Sequence, residues 1–160
     1  MKKKKFLKEL KKTENFELVL DVVLKELKKS INILGGVSFT TQETVKKYLM
    51  INFKASVNEL FSCLFLDNKH KLIAYEELFR GTINQTQVYP RVVVQRALFH
   101  NAASVILAHN HPSLNLQPSE SDKEITRKLI DILAVVDIRV LDHFIVSPYD
   151  TFSMAQNGHM

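Results

Sequence analysis

One cysteine in 160 residues, Cys63, excludes an internal disulfide framework and any zinc site built from several cysteines, and it fits a reducing cytoplasm. No apolar stretch long enough for a signal-peptide core or a membrane span follows the basic start MKKKKFLKELKK, so a cytoplasmic chain is expected. There is no H-E-x-x-H helix of the zincin kind and no P-C-x-x-C partner of the kind nucleobase deaminases use. Internal repeats are absent, and the lysine-rich start is the one low-complexity stretch.

What is present is a chain with 46% hydrophobic residues, enough for one well-buried core with an appendage. Phe16, Leu20, Val23, Leu27 and Ile31 recur at three- and four-residue intervals, which predicts an amphipathic helix in a lysine-rich N-terminal appendage over 1–36. Gly35 and Gly36 break that pattern and mark the boundary with a main domain over 37–160. The formal net charge of +5 comes largely from lysines before residue 30, which could contact a polyanion such as DNA or form a solvated helix face. Neither aromatic interleaving nor an arginine-rich groove accompanies them.

The main domain reads as helix, two strands, helix, strand, helix, two strands, which predicts an α/β fold with a mixed sheet and helices on both faces. Thr40 with Glu43 forms a capping box for a helix whose inward face is Val45, Tyr48 and Leu49. LFSCLFLD and KLIAYEELF form a hairpin around NKHK, with Asn68 taking the awkward turn conformation. Pro90 opens a helix with Val93, Ala97 and Leu98 as its apolar stripe, and ASVILAHNH is a strand covered on both faces. Ile125, Leu129, Ile132 and Leu133 set the stripe of the next helix, and IRVLDHFIVS and TFSMA return to strand character. His70 and His100 read as surface residues, and Cys63 as an inert buried thiol.

The chemistry concentrates in AHNHPSLNLQPSESD, residues 108–122. Positions i and i+2 of a strand share a side, so His109 and His111 can aim both imidazoles at one divalent cation. Asp122 can supply a third ligand if the loop folds back and starts a helix beside the strand end. The alternative is a polar turn in which Ser119 to Asp122 only cap that helix. The two coexist if Ser119 caps while Asp122 turns one oxygen to the cation. The letters around Asn110 spell HNH, but an HNH nuclease spreads those residues over a longer segment.

The pattern H-x-H-P, six residues, then S-x-x-D, as His109-Asn110-His111-Pro112 and Ser119-Glu120-Ser121-Asp122, resembles the JAMM motif of JAB/MPN metalloproteases. LFLDNKHKLIAYEELFRGT, VYPRVVVQRALFHNAASVILAHNHPS and IRVLDHFIVS are similar to the RadC branch of that superfamily, from about Val37 to the C-terminus. The resemblance implies the JAB/MPN fold, which is related to that of cytidine deaminases. It also implies Zn2+ held by His109, His111 and Asp122, a fourth position for water, and Ser119 bonded to that water or to a developing oxyanion.

For the general base, Glu59 matches the family's place best, with Glu76 and Glu77 as competitors. His143, in LDHF, is expected in the second shell or the core and not among the ligands. The activity implied is hydrolysis of an amide or isopeptide bond in a peptide-type substrate. The DNA-repair label attached to RadC implies, in its place, a nucleic-acid-associated or scaffolding module. RadC proteins commonly carry an N-terminal helix-hairpin-helix region whose glycine-centred hairpin is not found in residues 1–36, so a short relative with a different leader is expected.

Overall fold

Leu60–Leu66 and Ser104–Asn110 are each buried at all seven positions, the pattern of strands covered on both faces. In a computed structural model that describes residues 38–53, 58–81, 87–111 and 113–160, these segments are β1 and β3 at the centre of a five-stranded sheet. The helix expected over 16–31 and the boundary at Gly35 and Gly36 lie outside the described residues.

The other elements are α1 (Gln42–Asn52), β2 (Leu72–Arg80), α2 (Pro90–Phe99), α3 (Glu120–Ala134), β4 (Arg139–Val146) and β5 (Thr151–Ser153). Sheet order is β2-β1-β3-β4-β5, with β3 and β4 parallel and the other pairs antiparallel. A parallel pair needs a crossover, and α3 provides it. Its 15 residues span about 22 Å, close to the roughly 23 Å of the seven residues of β3. The start of α3 therefore comes back to the C-terminal end of β3.

On one face Phe61, Cys63, Phe65, Val105 and Leu107 pack beneath Val93 and Ala97 of α2 and Leu129 and Leu133 of α3. On the other, Tyr48 and Phe53 from α1 and its C-cap meet Tyr75 edge-on, at 6.0 and 6.5 Å between ring centroids. Helices thus cover both faces, as the element order predicts. Among the described residues, no helix is long and apolar enough to cross a membrane.

Four local expectations need correction. The N-cap of α1 is Thr41, in extended conformation, whose hydroxyl accepts the Thr44 N–H at 3.3 Å; Thr40 with Glu43 forms no capping box. Left-handed backbone in the β1–β2 turn falls at His70 (φ 57°) and not at Asn68, because the Asp67 carboxylate gathers the N–H groups of Lys69 and Lys71. Leu98 is 54% exposed, since five residues of helix turn it about 140° from Val93; Val94 packs in its place.

His100 is not a surface residue. Its ring lies 4.8 Å from that of Phe65, and its Nε2 is 2.8 Å from the Glu76 carboxylate, which also takes a forked pair of bonds from Arg96.

The Arg96 fork, more than the opposing effect of burial, holds the Glu76 carboxyl below its ordinary range, with His100 adding to it. A carboxyl depressed in the folded state stabilises the fold fully above its unfolded value of about 4.3, and the effect fades as pH falls through the folded-state value. Glu76→Gln is expected to cost about 1–3 kcal/mol at neutral pH. The gap from wild type should close in acid, measured by urea denaturation across pH.

Candidate metal centre

His109 sits in the last turn of the pleat of β3, 1% exposed, and His111 follows the strand end with its side chain 17% exposed. The two-residue spacing puts their Nε2 atoms 2.9 Å apart. Asp122, in the first turn of α3, completes the group: Oδ1 is 3.3 Å from His109 Nε2 and Oδ2 is 3.4 Å from His111 Nε2. One ligand atom from each lies within 4.8 Å of the others, so the three could hold a metal ion. The structure thus brings together the three side chains that the sequence pattern singles out.

Each partner orients the next. His111 Nδ1 is 2.7 Å from the Asn115 carbonyl, which can only accept, so Nδ1 carries the hydrogen and Nε2 is the atom turned inward. Leu114 adopts left-handed backbone (φ 62°) to bring that carbonyl round. His109 stacks on Phe61 at 6.4 Å, and its Nδ1 meets Nε2 of His143, a fully buried residue of β4, at 2.8 Å. His143 Nδ1 in turn meets the Thr126 hydroxyl at 2.6 Å.

Ser119 is the N-cap of α3, and Asp122 closes a reciprocal capping box with it. Asp122 Oδ2 accepts the Ser119 N–H at 2.7 Å and its hydroxyl at 2.6 Å, while the hydroxyl accepts the Asp122 N–H at 3.1 Å. The cap therefore uses Oδ2 and leaves Oδ1 on His109. Burial would push the Asp122 carboxyl up, but the adjacent His109 imidazole and hydrogen bonds with His111 and Ser119 hold it well below the usual carboxylate range. The same bond from Asp122 raises His111, against the effect of burial. A carboxylate at a helix N-terminus is also favoured by the helix dipole.

Glu59 immediately precedes β1, the strand beside β3. Phe61 pairs with His109 in antiparallel register, so stepping back two residues puts Glu59 alongside His111. Burial raises its carboxyl, and the charges of His109, His111 and Asp122 all act on it. Glu76 is directed to Arg96 and His100, and Glu77 is exposed opposite Ser62, on the α1 side of the sheet.

Nothing in the local sequence around Asn110 points to a role, yet its side chain brackets Glu59. Oδ1 accepts the Leu60 N–H at 2.8 Å, and Nδ2 donates to the Asn58 carbonyl at 3.2 Å. Gly81 N–H fixes the carbonyl of Glu59 itself at 2.8 Å. Fifty residues separate Asn110 from Leu60, and no local pattern links them.

The family described as RadC-like JAB domain matches residues 39–159. The chain belongs to the RadC-like JAB family. A relative named UPF0758 protein from Janthinobacterium sp. (strain Marseille) is 47% identical over 149 residues, 93% of this chain and 66% of the relative. Proteins of the same name from Nitrosococcus oceani and Verminephrobacter eiseniae are 54% identical over 123 residues and 55% over 120. These matches cover 77% and 75% of this chain but 55% and 51% of the relatives, so this RadC-like JAB chain spans between half and two thirds of the length of such proteins.

Asn110→Ala in this JAB domain leaves the Leu60 N–H without its acceptor in the interior. A loss of about 1–3 kcal/mol in unfolding free energy is expected, with faster hydrogen exchange at the Leu60 amide. An unchanged exchange rate would contradict the bracketing of Glu59.

Proposed function

We propose that this RadC-like JAB domain is a zinc-dependent hydrolase of amide or isopeptide bonds that works in a reducing cytoplasm. The observation that carries the reading is the convergence of two imidazole nitrogens and a carboxylate at the junction of β3 and α3. Ligands about 2.0–2.1 Å from a tetrahedral zinc ion stand roughly 3.4 Å apart. The two Nε2 atoms, 2.9 Å apart, and Asp122 Oδ1, 3.3 Å from His109 Nε2, are close to that spacing, and one ligand atom from each residue lies within 4.8 Å of the others. Two histidines and a carboxylate form a three-ligand set of the catalytic rather than the closed structural kind. His111 and Asp122 are partly exposed while His109 is not, so solvent and substrate reach the group from their side.

Zinc held by His109, His111 and Asp122 would supply Lewis acidity, lowering the pKa of a bound water to about 7. The chain's own residues do the rest. Glu59 takes a proton from the attacking water on its carboxylate and delivers it to the amine nitrogen as the carbon–nitrogen bond breaks. A carboxyl raised by partial burial, as this one is, lies closer to the working pH of such a base. The Ser119 hydroxyl donates to Asp122 Oδ2 in the structure. Turned outward, it would donate to the developing oxyanion, an interaction worth about 3 kcal/mol in acyl-transfer sites. Cys63, buried with its thiol pushed up by desolvation, takes no part.

Elemental analysis separates the roles of the acids. Wild type is expected to carry stoichiometric zinc and Asp122→Ala to lose it; equal zinc in both would sink the reading. Glu59→Gln is expected to retain the metal while turnover of peptide- and isopeptide-linked model substrates drops by about 10²–10⁴. Retained turnover would move the base elsewhere.

A further inference from the structure

The hydrogen bonds beneath His109 have a direction that can be worked out from one end. The Asp122 carbonyl accepts and cannot donate, so the Thr126 hydroxyl, 2.5 Å away, gives its hydrogen there. His143 Nδ1 at 2.6 Å and Met154 Sδ at 3.8 Å are also in reach, but two oxygens this close with no hydrogen between them would repel, so the carbonyl takes the hydrogen. With its one hydrogen spent, Thr126 Oγ1 faces His143 Nδ1 with lone pairs at 2.6 Å, and Nδ1 must be the donor.

His143 is 0% exposed, and its ring bonds are to Thr126 and His109, neither of them a carboxylate. A charged imidazole there would be costly, so the ring carries one hydrogen, already placed on Nδ1. Nε2 of His143 is therefore an acceptor, and His109 Nδ1, at 2.8 Å, must donate to it. What remains on His109 is a bare Nε2, pointed at His111 and Asp122.

We infer that Thr126 and His143 are positioning residues that lock His109 in the tautomer whose Nε2 lone pair faces the metal site. The relay begins at the backbone carbonyl of Asp122 and ends beside its carboxylate, so a single helical residue both closes the ligand set and, through Thr126, orients its most buried member. Partners of this kind outside the ligand set are worth about 10–100-fold in metal affinity. The inference rests on the metal reading for its purpose, but the tautomers exist with or without metal.

Two measurements on the full chain test it. Long-range proton–nitrogen spectra of the metal-stripped, nitrogen-15-labelled protein at mildly alkaline pH distinguish the two imidazole tautomers. His109 and His143 are both expected with hydrogen on Nδ1, and hydrogen on Nε2 of His109 would overturn the relay. Competition with a zinc chelator then compares Thr126→Val, which keeps the shape and removes the hydroxyl, with Thr126→Ser, which keeps it. The valine variant is expected to bind zinc about 10–100-fold more weakly, with the serine variant near wild type. Valine with wild-type affinity and an unchanged His109 tautomer would also overturn it. Should the valine variant not fold, the wild-type spectrum decides. Wild type showing these tautomers yet taking up no zinc would support the relay and defeat the hydrolase reading.

Discussion

A histidine that is 1% exposed at the end of a strand covered on both faces carries two ring nitrogens into the protein interior. Each nitrogen needs a partner there, because a buried polar group without one costs about 1–3 kcal/mol. The fold meets this constraint in two directions. Nδ1 is answered from beneath by His143 and Thr126, and Nε2 from above by His111, with the Asp122 carboxylate beside them. The positions of α3 and β4, and the order of the loop at His111, are arranged around these two answers.

Asp122 is where local and tertiary demands meet. The third residue of a helix is where a capping box places its acid, so the carboxylate would be aimed at the Ser119 N–H in any helix that starts this way. Only Oδ2 is needed for that, and the crossover from β3 to β4 then decides what Oδ1 faces. The reading of residues 119–122 as a helix cap and their reading as part of a metal site are therefore both correct descriptions of one side chain at two levels. Its carboxyl stays ionised because both sets of partners favour the charged form.

Where sequence patterns misplaced a feature, a contact outside the pattern was responsible. The turn between β1 and β2 is set by the Asp67 carboxylate collecting two N–H groups, which moves the left-handed residue to His70. His100 looks like a helix-end surface residue until β2 brings Glu76 beside it. Phe99, next along, remains 71% exposed with the Arg96 guanidinium over its ring.

From the sequence alone came the alternation of helices and strands, the covering of β3 on both faces, the capping acid of α3, and the spacing that turns His109 and His111 the same way. All of these are periodicities or contacts within a few residues, which chain geometry fixes locally. Tertiary structure decided which glutamate stands beside the triad, that Asn110 holds the backbone on either side of Glu59, and that His143 and Thr126 lie under His109. Those partners are 50, 34 and 17 residues apart along the chain. Their meeting depends on sheet register and on the helix crossover, and a one-residue slip in either strand pairing would turn His109 or His143 to the opposite face.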